Sequence, residues 1–413
     1  MNRRQFLGTA AALSAATNGA TNAAGAAQGA KDIDFEAVRS DFPRVRTEAY
    51  LDCASCHPLS VHSAAILHRY VDWATHQVGE PWWPSWAAPR DEGKKLFAQL
   101  INAKPGEIAF CRSTIEAESN VLNGMSDLLS QGNVVTNDLH YTAALYNYKM
   151  RQKDGLDLRV VKNRDWQIDI DDMRKAIDDD TKLVSITLVS NVNGYLADVK
   201  AISEVAHAHG ALLYVDVIQA VGAVPIDVRA MGIDIAACST YKWLMGVKGF
   251  GFLYIREDLQ RKVVKPTQHS GGVGFNYEPW TEQPDRTQDE ITFKARPAPV
   301  CYEVSYPSYE GAICAQESVK YVHQLGVANI RKHVRGLTDR LHEEMPKLGY
   351  PSITPKGNES PIVVFEASDP ASTIKTLRGA GVHTAMRFGN KLRISPSVFS
   401  NHDDIERLLS ALS

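Results

Sequence analysis

The sequence predicts an α/β protein, with a large domain on a mostly parallel sheet and a small α+β domain at the C-terminus. Two observations carry this. Runs 183–189, 211–215, 233–237 and 250–255 are β-rich and apolar, without the alternation expected of a strand with one wet face. Between the first two lies 199–209, whose apolar residues recur at helical spacing and stop at Gly210. Strands apolar on both faces and joined through helices imply a parallel sheet covered on both sides.

The 413 residues are enough for a large core and two domains. Hydrophobic residues make up 44% and charged residues 23%, ordinary for a soluble globular chain. A formal net charge of -3 and the lack of a basic stripe argue against a nucleic-acid or membrane-surface partner. Beyond the N-terminus no stretch reaches the ~18 apolar residues of a membrane span.

Taken in order, the first segment is 1–30. Asn2-Arg3-Arg4-Gln5-Phe6-Leu7 precedes a mildly apolar Ala-rich run over 8–16, and Ala24-Gly25-Ala26 follows. Paired arginines, a weak apolar region and a small-residue end look like a twin-arginine export signal. The expectation is a periplasmic protein that acquires any cofactor before export. Residues 31–48 read as an N-terminal segment with a short helix over 34–42, packing on the small domain. Ala49-Tyr50-Leu51-Asp52 opens the large domain, 49–300. Within it, 266–299 is rich in Gly, Pro and polar residues and reads as a long loop. The small domain, 301–413, shows helices over 311–325, 327–348 and 371–380 and strands over 362–365 and 391–395. Of six cysteines only Cys53 and Cys56 are close together; they read as two small packed residues, with a disulfide as the other reading. No Cys/His cluster has zinc spacing, and no metal is expected.

In open parallel sheets ligands sit beyond the carboxyl ends of the strands. Three successive strand ends carry polar groups there: Asn191 after 183–189, Asp216 with Gln219 after 211–215, and Ser239-Thr240-Tyr241-Lys242 after 233–237. A lysine just after a buried strand is poorly solvated, which lowers its pKa and makes it a nucleophile. A carboxylate on the neighbouring strand end suits a pyridinium nitrogen and would keep that ring an electron sink.

These residues carry a family resemblance over nearly all the chain after the signal. Tyr50-Leu51-Asp52, Arg112-Ser113-Thr114-Ile115-Glu116, Ser190-Asn191-Val192-x-Gly194, Val215-Asp216-x-x-Gln219-Ala220, Ser239-x-x-Lys242 and Gly246-x-x-Gly249-x-Gly251 resemble the segments of class V aminotransferases. That group belongs to the fold-type-I pyridoxal-phosphate enzymes and includes cysteine desulfurases and isopenicillin N epimerases. The resemblance implies a seven-stranded sheet, a homodimer and pyridoxal 5'-phosphate. It implies Lys242 as the Schiff-base lysine and Asp216 on the ring nitrogen. Asn191 and Gln219 fall to the ring, and Ser113, Thr114, Ser239 and Tyr241 to the phosphate. Tyr141 is expected to stack on the ring, with His140 as the alternative one place earlier. Tyr302-Glu303-Val304-Ser305-Tyr306-Pro307 resembles a segment that reaches the partner's phosphate, with Tyr306 in place of the family's Thr. Leu392-Arg393-Ile394-Ser395 resembles the segment whose arginine clamps the substrate carboxylate, with Asn191 beside it.

One absence bears on the reaction. Desulfurases of this type place a persulfide-forming cysteine just before the Arg393 segment. Here no cysteine follows Cys314, and Arg387-Phe388-Gly389-Asn390 stands at that place. The expected function is therefore chemistry at the α-carbon of an amino acid or amino-acid-derived secreted metabolite, foremost transamination or deamination. The alternatives are a C–S or C–N lyase or epimerase of the same family, and, more remotely, a non-catalytic binding protein on the same fold.

Overall fold

The computed structural model describes residues 33–76, 82–267, 297–304 and 307–413. The expected export signal, most of the 266–299 loop and Tyr306 lie outside them.

The strands are β1 (Ala49–Tyr50), β2 (Ile108–Cys111), β3 (Asn133–Asn137), β4 (Asp157–Val161), β5 (Thr181–Thr187), β6 (Leu212–Asp216), β7 (Ile235–Ser239), β8 (Gly251–Ile255), β9 (Val363–Glu366), β10 (Val382–His383), β11 (Ala385–Arg387) and β12 (Lys391–Ile394). Seven of them form the central sheet, in the order β2-β8-β7-β6-β5-β3-β4. Strands β7, β6, β5, β3 and β4 run parallel. The fourth apolar run of the sequence, now β8, is antiparallel to both of its neighbours. The reason is local: 240–250 contains no helix, so the chain turns straight back instead of crossing over.

Successive residues of the central strands enter two different apolar clusters. Val135, Val184, Ile186, Leu213, Val215, Ala236 and Cys238 face one. Val134, Leu183, Tyr214, Ile235 and Ala237 face the other. The sheet is thus dry on both sides, as the unbroken apolar runs require. A third cluster belongs to the small antiparallel sheet β11-β12-β9 and joins Phe365, Leu392, Ile394, Leu408 and Leu409 to Leu337 and Leu341.

The packing differs from the division by sequence in two places. Ala312, Ala315, Val319 and Val322, on the helix Tyr309–Leu325, lie in the large cluster, so this part of 301–413 packs with the central sheet. Conversely, Ala49 and Leu51 lie in the small cluster, and β1 pairs in parallel with β10. The cause is the β1 ladder, which draws the opening of the large segment across to the C-terminal sheet. The helix Phe35–Arg39 also lies on C-terminal residues: Arg39 pairs with Asp404 at 2.7 Å, and Phe35 stacks on His333.

The turn that follows β5 is tied to the segment before β9 at Gly194. Its carbonyl accepts from Asn358 Nδ2 at 2.8 Å and Ser360 Oγ at 2.6 Å. Its φ of +77° favours glycine, and a Cβ there would stand 2.1 Å from the Ile362 carbonyl oxygen. Both obstacles are backbone, so Gly194→Ala should cost about 2–3 kcal/mol through strain and parted contacts. A fall in thermal midpoint checks this; an unchanged midpoint would show that the junction yields freely.

Candidate active site

Strand β2 is antiparallel to β8, which is antiparallel to β7, so β2 and the parallel strands end at one edge of the sheet. A cavity of about 180 Å³ opens at this edge. It is lined by Ser113, Thr114, Ile115, Tyr141, Thr187, Asn191, Asp216, Ile218, Gln219, Ser239, Tyr241 and Lys242. The structure thus brings together every residue expected at the cofactor.

One wall is the start of the helix Thr114–Gly124. Ser113 caps it, its Oγ accepting from the Glu116 N–H at 3.1 Å. The helix start is tied to the end of β7 from both sides: Thr114 N–H donates to Ser239 Oγ at 3.1 Å, and Ser239 N–H donates to Thr114 Oγ1 at 3.0 Å. A fixed helix N-terminus ringed by hydroxyls is suited to an anion.

Asp216 ends β6 and is buried. Its Oδ1 accepts from the Ile218 N–H at 2.9 Å. Burial pushes its pKa up to about 6, against the pull of His140, that hydrogen bond and Lys242. Lys242 is only 8% exposed. Burial pushes its pKa down to about 8, with Asp216 opposing and Arg393 and Arg387 assisting.

Gln219 is held at both ends of its amide, donating to the Ala54 carbonyl at 3.1 Å and accepting from Trp243 Nε1 at 3.0 Å. Asn191 differs: its Oδ1 is buried and has no hydrogen-bond partner. Such an atom is costly unless a ligand group meets it, and rotation of the amide would offer donors instead. Tyr141 lines the cavity with its ring partly exposed, whereas His140 is buried behind it and accepts from the Tyr141 N–H at 2.7 Å. Of the two, the geometry puts Tyr141 at the cavity.

Arg393 is not among the lining residues. It sits on β12, 3% exposed, and donates to Asp52 Oδ1 at 3.2 Å, Ser55 Oγ at 2.5 Å and the Asn191 carbonyl at 3.4 Å. Its Nε is buried without a partner. Thr187 was missed in the sequence because the apolar run appeared to continue to residue 189, whereas β5 ends at Thr187. Ser55 and Arg387 were missed as well; their contact at 2.6 Å joins segments 332 residues apart, which no local pattern shows. All six cysteines are free, with Cys53 buried and Cys56 half-buried.

Residues 86–408 match the family model described as Aminotransferase class-V. A probable cysteine desulfurase of Methanothermobacter thermautotrophicus is 32% identical over 311 residues, covering 74% of each chain. A probable cysteine desulfurase of Pyrococcus abyssi is 27% identical and covers 91% of this chain and 96% of its own. Among solved structures, a cysteine desulfurase from Thermococcus onnurineus superposes with a TM-score of 0.81 at 23% identity, covering 92% of this chain and 98% of that one. A variant of C-DES, solved with glycine linked to its PLP cofactor, gives a TM-score of 0.78 at 16% identity, covering 91% and 98%.

The shifts at Asp216 and Lys242 make stability depend on pH in the ligand-free protein. Asp216 has a folded pKa above its unfolded value, so between about pH 4 and 6 the folded state binds more protons and loses stability as pH rises. Lys242 has a folded pKa below its unfolded value, so its penalty is full below pH 8 and is relieved as pH climbs towards 10.5. Asp216→Asn should therefore stabilise the ligand-free protein by about 1–3 kcal/mol at pH 7, part of the gain being lost because Lys242 forfeits its counter-charge. Denaturant titrations at pH 4 and pH 7 test the sign; a variant less stable than the parent at pH 7 would mean that Asp216 is not penalised by burial.

Proposed function

We propose that this chain, which belongs to the class-V aminotransferase family and takes pyridoxal phosphate as its cofactor, acts at the α-carbon of an amino acid or an amino-acid-derived metabolite. The observation that carries this reading is the buried Lys242 amine, lowered to about 8, beside the buried Asp216 carboxylate in a cavity with an anion-binding wall. The cofactor, when bound, supplies an electron sink for the electrons left when a bond at the α-carbon breaks.

Ser113, Thr114, Ser239 and Tyr241 would hold its phosphate, with the helix start supplying N–H groups. Asp216 would hold the ring nitrogen in its charged form, and binding there would stabilise the carboxylate that burial disfavours. Asn191 would meet the ring oxygen, Gln219 would bear on the same ring, and Tyr141 would cover its face. Lys242 would anchor the cofactor covalently. Its Nζ would also be the group placed to take a proton from the α-carbon and return it elsewhere. An amine with pKa about 8 is a competent base near neutral pH, whereas an unperturbed lysine is almost wholly protonated there. Arg393, with Asn191, would orient the α-carboxylate.

Within this class we infer transamination or deamination, because a proton moved by Lys242 is all that the protein must add. A second reading is sulfur removal from cysteine, favoured by the relatives that are named cysteine desulfurases. Against it stands the lack of any cysteine after Cys314, which leaves a C–S lyase without a persulfide cysteine as the form such chemistry would take. Further proposals are a homodimer and, from Arg3-Arg4 and the Ala-rich run behind them, export to the periplasm.

Product analysis separates the readings. An amino donor with an added 2-oxo acid should give the exchanged pair of products, and cysteine should give little sulfide. Sulfide release independent of the 2-oxo acid would favour the lyase. Lys242→Ala should abolish the visible absorbance of the holoenzyme and reduce turnover by ~10³-fold or more, since anchor and base are lost together. A variant that kept both would refute the assignment of Lys242.

A further inference from the structure

Behind the cavity a polar column runs through an otherwise apolar layer. Strands β5 and β6 pair so that Thr187 stands beside Asp216 and, one pleat back on the same face, Ser185 beside Tyr214. Ser185 Oγ donates to Glu118 Oε1 at 3.1 Å, and Tyr148 OH donates to the same oxygen at 2.8 Å. His140 Nε2 lies 3.2 Å from Ser185 Oγ and 3.6 Å from Glu118 Oε1. Glu118, His140, Tyr148 and Ser185 are all fully buried, and Tyr148 and Tyr214 belong to the apolar cluster of Val134, Leu183 and Ala237. A carboxyl group in such a layer is costly even when bonded, and Glu118 Oε2 has no partner among the described residues. Neither Glu118 nor His140 lines the cavity.

The hydrogens of this column can be placed by elimination. The Tyr141 N–H donates to His140 Nδ1 at 2.7 Å. A backbone N–H can only donate, so Nδ1 carries no proton and the hydrogen of the imidazole is on Nε2. Nε2 therefore donates to Ser185, whose own hydrogen goes on to Glu118. The acceptor at the far end thus decides the tautomer at the near end. With the hydrogen on Nδ1 instead, two donors would face each other and the Tyr141 amide would turn away.

Tyr141 depends on such a hold. It is 39% exposed, and it begins the helix Thr142–Lys153 without a side-chain cap. Glu118 lies one turn along the helix Thr114–Gly124, whose start is bonded to Ser239. The column therefore joins the helix at the anion-binding wall to the residue at the cavity's open face.

We propose that His140, its tautomer set by Ser185 and Glu118, is a positioning residue that fixes Tyr141 over the cofactor ring. This rests on the reading that Tyr141 covers that ring. His140 acts through the Tyr141 amide and touches neither cofactor nor substrate.

The test is a double-mutant cycle on the full chain. Pyridoxal phosphate is titrated by absorbance, and the visible circular dichroism of the bound cofactor is recorded. His140→Leu should weaken cofactor binding ~10-fold, the loss of one buried hydrogen bond, and diminish the dichroism per bound cofactor. His140→Asn keeps an acceptor on Cγ where Nδ1 stood, and should bind within about two-fold of the parent. In a Tyr141→Leu background, His140→Leu should cost less than about two-fold more, because the residue it positions is already gone. Should His140→Leu fail to fold, Ser185→Ala gives the same comparison: a smaller loss in the parent and none in the Tyr141→Leu background. Equal losses in both backgrounds, or an Asn variant as weak as the Leu variant, overturn the proposal and leave Tyr141 on the ring. A Tyr141→Leu protein that binds cofactor as the parent does removes Tyr141 from the ring, and the proposal with it.

Discussion

The structure turns on the placing of two opposite charges, Asp216 and Lys242, where water scarcely reaches. Each is disfavoured by burial, and the shifts run in opposite directions, the carboxylate up and the amine down. Their mutual attraction offsets only part of the cost. A protein that maintains such a pair does so at the expense of stability, and a large dry sheet makes that cost tolerable. The ends of β6 and β7 also fix their separation. Asp216 is the last residue of one strand, and Lys242 follows the last residue of the next by three places. Rigid strands hold such groups more accurately than loops could.

Around this pair several of the polar groups are tied down by protein. Thr114 and Ser239 bond reciprocally, Gln219 is gripped by Ala54 and Trp243, and the Thr187 hydroxyl donates to the Val189 and Asp216 carbonyls. Asn191 alone among the polar lining residues keeps a buried oxygen without a partner. The contrast separates scaffold from working surface. Satisfied amides and hydroxyls set the shape of the cavity, and the orphaned one is the group that a ligand would complete.

How far the sequence disclosed this depended on whether a feature was local. Asp216, Gln219, Ser239 and Lys242 stand at fixed offsets from apolar runs, and β6 and β7 end within two residues of where their runs stop. The antiparallel direction of β8 was obscured because an apolar strand looks alike in either direction; only the helix-free 240–250 segment carried the signal. The end of β5 was misplaced because Leu188 and Val189 are apolar yet lie beyond the ladder. The sharing of Ser55 by Arg387 and Arg393 was beyond sequence reading altogether. It depends on β1 pairing with β10 and on the Asp52–Ser395 bridge, which draw residues 49–57 beside the small sheet.

That crossing has a consequence for how one fold serves different reactions. The cofactor wall is built by the large sheet, whose strand ends leave little freedom. The opposite rim is built where residues 52–57 meet the turn after β11, and an exposed turn can change without disturbing either core. In this chain Arg387 ends β11, Phe388, Gly389 and Asn390 form the turn, and Phe388 is 52% exposed. No cysteine stands among these four residues, and the charged group they carry is the Arg387 guanidinium. The likeness to proteins named cysteine desulfurases extends along most of both chains, so it is a likeness of the framework as a whole. On the proposed reading, any difference in chemistry would fall to a few residues of the rim, because those would decide which substrate atoms are held and hence which bond at the α-carbon is brought into line with the ring.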